Sequence, residues 1–163
     1  EAFAAQSLEK QYQESFERLV PDLERLESVS IEVALGRYFL NQLDLDRAQR
    51  HGQKALDLKQ NNKEALLLMA SVDFALEEYP SGLQRAEMAL ALYPADPWCY
   101  LMAARGYRFT GLLDLAEMQV LSGIEFTLAG SNQYRLLCLE AVSLYKELGR
   151  AKEAELWLDK AQQ

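Results

Sequence analysis

Arg105 and Arg108 stand three residues apart, so on a shared helix their guanidinium groups can converge on one carboxylate or bracket two. That is recognition chemistry, a planar cation gripping a carboxylate through paired hydrogen bonds. Residues suited to covalent or acid–base work are sparse. The single histidine, His51, follows Arg50 in a polar stretch and is expected to be a solvated side chain. Neither Ser nor Cys occurs in a nucleophile setting. Cys99 and Cys138 are each embedded in an apolar run with no C-x-x-C pair, which reads as two buried structural thiols. The acidic pairs Asp44/Asp46 and Glu77/Glu78 fall at turns and helix ends, where capping and solvation account for them. No glycine-rich phosphate loop and no EF-hand spacing is present. No catalysis, cofactor or metal is expected.

Bulk composition narrows the classes further. Half of the 163 residues are apolar, enough for a folded core. With 25 acidic and 17 basic residues the net charge is −8, which argues against nucleic acid as a partner. No apolar run reaches the roughly 18 residues of a membrane span. The segment Ala2-Phe3-Ala4-Ala5 has the residue types of a signal-peptide cleavage site, but no apolar h-region precedes it. The chain starts without Met, which fits either a processed protein or a domain of a longer one. Two free thiols point to a reducing compartment, the cytoplasm rather than the periplasm.

The elements that position these residues follow from an internal repeat. Val29–Asn62, Lys63–Asp96 and Pro97–Gly130 superpose at a spacing of 34 residues, and Arg135–Gln163 follows after Ser131 to Tyr134. In this frame the eighth position reads Gly36, Ala70, Ala104, Val142. The twentieth reads Ala48, Gly82, Ala116, Ala154, and the twenty-seventh Ala55, Ala89, Gly123, Ala161. Small residues there let two helices of one hairpin approach closely, while larger ones at positions seven and eleven fill the space between hairpins. Helices are expected over about 31–42, 46–59, 63–77, 81–93, 97–110, 114–128, 132–148 and 150–162. Asp44 is placed to cap the second of them, and Thr110-Gly111 and Leu148-Gly149 to close helices in a left-handed turn. Residues 1–28 lie outside the repeats. There Leu8, Tyr12, Phe16, Leu19, Leu23 and Leu26 form an amphipathic pattern, read as one helix, or two hinged at Pro21, capping the first repeat. A dimerisation helix is the alternative reading of the same segment.

The repeat resembles the tetratricopeptide repeat (TPR) family. Leu35-Gly36-x-x-Phe39 with Ala48 and Ala55, the closing Tyr93-Pro94, Tyr107 with Gly111, and Tyr145 with Gly149, Ala154 and Ala161 all match its pattern. Gly52, Asp73, Gln60 and Leu128 depart from it. The resemblance implies an all-α fold, a right-handed α-solenoid of about four TPR-like helix hairpins with the N-terminal amphipathic capping helix. It also implies a concave partner-binding groove lined by the first helix of each repeat. Carried over, the lining is Val33, Arg37, Leu40, Leu67, Ser71, Phe74, Trp98, Leu101, Arg105, Arg108, Leu139 and Lys146. Val33, Leu67, Leu101 and Leu139 would be an apolar floor and the arginines and lysine its cations, suited to an amphipathic peptide or helix carrying acidic residues. The alternative is that these arginines pair with acidic neighbours such as Asp73 and that neighbouring helices cover the floor. The Lys and Asn of the family's carboxylate clamp are absent. Asp73, standing where an aromatic is usual, needs a cation if buried, with Arg37 or an arginine of the third repeat as candidates. The implied function is a non-catalytic protein–protein interaction module, an adaptor, chaperone or scaffold. Its alternative is a structural or assembly subunit that oligomerises through the N-terminal helix, residues 1–28, and the convex face. An N-terminal helix followed by such repeats is also similar in plan to the secretion-translocator chaperones of bacterial type III systems, which implies a bacterial protein.

Overall fold

The computed structural model describes residues 2–162, with the side chains of Lys10 and of residues 13–162. Among the described residues there are nine α-helices and no strand. They fall into two compact units, Glu1–Gln60 and Asn61–Gln163.

The first unit holds α1 (Ala2–Glu24), α2 (Val29–Asn41) and α3 (Leu45–Leu58). Helices α2 and α3 form a hairpin that buries Leu35, Gly36 and Phe39 against Ala48, Gly52 and Ala55. The small residues of α3 admit the larger ones of α2. The carboxylate of Asp44 caps α3, accepting from the Arg47 backbone N–H at 3.0 Å. That backbone bond, reinforced by the Arg47 side chain, holds the Asp44 carboxyl below its usual range. α1 is one helix that carries Pro21 inside it, not two. It rests on the hairpin through Phe16, whose ring lies 4.1 Å from that of Tyr38, and through Val20, which is buried. The apolar pattern expected for this helix therefore needs revision. Val20, four residues after Phe16, takes the inward place, and Leu19 is left 55% exposed. Leu8 and Tyr12 lie outside the described side chains.

The second unit stacks three hairpins: α4 (Lys63–Ala75) with α5 (Tyr79–Leu92), α6 (Pro97–Phe109) with α7 (Leu113–Glu125), and α8 (Asn132–Glu147) with α9 (Ala151–Ala161). Helices α4, α6 and α8 lie side by side. Leu66, Leu101, Leu137 and Leu144 are at most 2% exposed, and each contributes about 2 kcal/mol of burial before entropy is counted. Gly82 shows why small residues recur at the twentieth position, since a Cβ there would come within 2.4 Å of the Phe74 ring. Helix starts are fixed by side chains: Asn62, Asp96 and Ser131 accept from the N–H groups of Ala65, Trp98 and Tyr134.

The turns inside the four hairpins share one geometry. Leu43, Glu77, Gly111 and Gly149 each adopt positive φ, at 59°, 62°, 78° and 70°. In each case the next residue donates back across the turn: Asp44 to Phe39, Glu78 to Asp73, Leu112 to Tyr107 and Arg150 to Tyr145, at 2.8–2.9 Å. This is the Schellman closure, which satisfies carbonyls that the helix end leaves open. Glycine occupies the left-handed place in the last two hairpins, whereas the first two force Leu and Glu into it.

Candidate functional site

The residues expected to form an apolar floor are mostly covered. Val33 is 5%, Leu67 8% and Leu101 1% exposed. The expectation of an open aliphatic row is thus corrected for these three. In the second unit the cause is that α4, α6 and α8 lie against one another. Leu139 is 39% exposed, because α8 ends that row of helices. In the first unit Arg37 is exposed and Leu40 half-buried. Ser71 donates to the Leu67 carbonyl of its own helix at 2.8 Å. Phe74 meets Phe109 edge-on at 5.3 Å, and Tyr79 stacks on Phe109 at 5.1 Å. Trp98 is half-buried in the first turn of α6.

Arg105 and Arg108 do converge on one carboxylate, and it belongs to this chain. Glu140 of α8 is 5% exposed; Arg105 Nε donates to its Oε2 at 3.0 Å and Arg108 Nε to its Oε1 at 2.7 Å. Arg108 also donates to Glu147 at 2.5 Å, and its guanidinium lies 4.7 Å from the centre of the Phe109 ring. Burial works against the Arg108 charge, but Glu140 and Glu147 more than offset it, so its pKa lies above the ordinary value. The expectation that both arginines await a partner's carboxylates is corrected: their first task is to neutralise Glu140. Arg105 keeps a side chain 36% exposed and holds Glu140 through Nε. Beside it, Leu139, Ser143 and Lys146 follow at spacings of four and three along α8, and Leu139 and Lys146 are open to solvent.

Three buried carboxylates went unrecognised or were wrongly paired in the sequence, and all share one signal. Glu140 stands where the other repeats carry Ala34, Leu68 and Met102. Glu32 stands where they carry Leu66, Tyr100 and Cys138. Asp73 replaces an aromatic. A buried acid at a position that is otherwise apolar needs a hydrogen-bonding or cationic partner nearby. For Glu32 that partner is His51, which is 2% exposed rather than solvated. Its Nδ1 lies 2.7 Å from Glu32 Oε2, and its ring stacks on Phe39 at 5.2 Å. Glu24 of α1 approaches the other ring nitrogen at 3.4 Å. For Asp73 the partner is Arg85 of α5, not Arg37 or an arginine of the third repeat. Asp73 Oδ1 has no hydrogen-bond partner, and burial pushes the carboxyl above its usual pKa although Arg85 pulls it down. Burial also drives the Cys99 thiol up to about 12.

No family model matches the chain, and no curated protein matches its sequence. Solved structures do match. The TPR protein TTC0263 of Thermus thermophilus superposes with a TM-score of 0.75 at 21% identity, over 82% of this chain and 73% of that one. MamA from Desulfovibrio magneticus RS-1 gives 0.69 at 17% identity, over 94% and 92%. YrrB, described as a TPR protein with an unusual peptide-binding site, gives 0.65 at 19% identity, over 90% and 80%. With nine helices among the described residues and a 34-residue period, the chain is an all-α helical repeat protein with the fold of the tetratricopeptide-repeat proteins.

Proposed function

We propose that the chain is a non-catalytic protein–protein interaction module, an adaptor, chaperone or scaffold, holding a partner peptide or helix against the open face of α6 and α8. The observation that carries this reading is Leu139, open on α8 with Lys146 on the same face and Arg105 reaching across from α6. An exposed leucine flanked by cations suits an amphipathic segment with acidic residues beside its apolar ones. Arg105 is pre-positioned by Glu140, so little side-chain freedom is lost when it meets a ligand. The peptide-binding site named for YrrB supports the same class of function. Two features favour binding over catalysis: His51 is enclosed by Phe39 and Glu32, and a Cys99 thiol titrating at about 12 is protonated at neutral pH.

The test uses Leu139→Glu together with Lys146→Glu. Both side chains are exposed, so circular dichroism and melting should match the wild type. Proteins captured from source-cell lysate are then quantified for both forms. Loss of a defined partner from the variant supports the reading, and identical captured sets refute it. Arg108 does not serve this purpose, because its replacement strands Glu140.

A further inference from the structure

Helix α7 is turned the wrong way for a helix with no partner. Its packed face is built from the small residues Ala116, Val120 and Gly123. Ile124 also packs inward, but three large apolar residues point outward: Leu115, Met118 and Leu121 are 39%, 51% and 39% exposed. The flanking turns continue the exposure, with Leu112 at 48%, Phe126 at 49% and Leu128 at 82%. A depression of about 400 Å³ opens at the start of the helix between Leu112, Leu115 and Leu148, with Asp114 on its wall. Isolated exposed apolar residues are ordinary, but a run of six within seventeen residues marks an interaction surface.

The charge around this surface is one-sided. From Phe109 to Tyr134 the sequence contains Asp114, Glu117 and Glu125 and no Lys, Arg or His. Glu117 is engaged by the Tyr145 hydroxyl at 2.6 Å and by Arg150. Asp114 and Glu125 are exposed, and no ion pair is formed by either among the described residues. They mark the two ends of α7, eleven residues or about 16 Å apart along the axis.

We propose that the outer face of α7 docks a cationic amphipathic helix of another protein, apolar along one stripe and carrying Lys or Arg about three turns apart to meet Asp114 and Glu125. Met118 at the centre, unbranched and polarisable, adapts to the side chains laid on it. Charge complementarity selects this occupant over the others. A second copy using the same face would set acid against acid. A second copy offers α3, where Arg50 and Lys54 are open with only Leu58 as a large exposed apolar residue, and α8, where Arg135 and Lys146 are open with only Leu139, so neither presents a continuous stripe. An anionic membrane surface would be repelled. This surface is separate from the Leu139 face, and the two readings fail independently.

The probe is a fluorescein-labelled helical peptide of about 18 residues, Leu on one face and Lys on the other, with a Leu/Glu peptide of the same pattern as control. Fluorescence anisotropy should show the Leu/Lys peptide binding the wild type and the Leu/Glu peptide failing to bind. Met118→Lys with Leu121→Lys should weaken binding by about tenfold or more, and Asp114→Lys with Glu125→Lys should do so without touching any packed residue. The Leu139→Glu, Lys146→Glu variant should bind the peptide like the wild type. Equal affinity in wild type and both α7 variants would overturn the proposal. So would equal binding of the two peptides, or a concentration-dependent dimer in the wild type that Met118→Lys abolishes.

Discussion

The left-handed turn position offers a stability experiment with its control built into the chain. Leu43 and Glu77 occupy, at φ of 59° and 62°, the place that Gly111 and Gly149 fill in the later hairpins. Forcing an L-residue into this region costs about 1–2 kcal/mol, while glycine returns roughly 0.4–1 kcal/mol through the greater freedom of its unfolded chain. The net gain for Leu43→Gly is therefore about 0.5–1 kcal/mol. Little opposes it, since the Leu43 side chain is 80% exposed. Glu77→Gly should gain slightly more, because it also removes a negative charge from the C-terminal end of α4. In the opposite direction, Gly111→Ala and Gly149→Ala should each cost about the same amount. A Cβ at either site meets nothing within 4 Å, so the effect is one of backbone alone. Urea unfolding followed by far-ultraviolet circular dichroism should move the midpoint by about 0.25–0.5 M per site, for a slope near ~2 kcal/mol/M. Leu43→Gly lowering the midpoint, or Gly111→Ala leaving it unchanged, would refute the reasoning.

Two further predictions concern the buried acids. Arg108→Met should destabilise the second unit by about 3 kcal/mol by leaving Glu140 with Arg105 alone, whereas adding Glu140→Met should restore most of the loss. A double-mutant cycle in urea checks both, and a single-variant loss below about 1 kcal/mol would count against the network. Asp73 titrates above its ordinary 3.8, so folding favours its neutral form. Its contribution is fully present below that ordinary value and declines as pH rises through the raised one. Asp73→Asn cannot ionise, so wild-type stability measured relative to this variant should fall as pH rises above 3.8 and level off once the raised pKa is passed; a constant difference would contradict the burial argument.

Much of the fold was readable because its determinants are local or strictly periodic. Small residues recurring every 34 positions fix where hairpin helices touch, and capping residues fix where they begin. The helices accordingly start and stop within about two or three residues of their expected bounds. The interaction face was less legible, because openness is a relation between elements. Val33, Leu67 and Leu101 occupy family groove positions, yet neighbouring side chains cover them. Arg105 and Glu140 are 35 residues apart, and nothing in either segment alone announces their pairing. His51 looks polar in sequence and is buried, because Glu32 replaces an apolar residue opposite it. The α7 leucines, conversely, look like core. The small Ala116 and Gly123, at the twentieth and twenty-seventh positions, mark the inner side of that helix, and it is the exposure of the leucines opposite that the sequence does not show.

Glu140, the buried acid of the fourth repeat, is neutralised by Arg105 and Arg108 of the third, and this makes those two units non-interchangeable. A duplicated third repeat would bring a second Arg105 and Arg108 against a second Met102, where Glu140 now stands, leaving two guanidinium groups with no anion to meet. Copying the second repeat would set Asp73 and Arg85 twice in succession, each pair self-sufficient, and would leave the arginines that follow with Glu140. Tandem duplication of the third hairpin is thereby disfavoured at its junction with the fourth. The order of these two hairpins is written in charge, and a chain with the third one duplicated should be less stable at that seam.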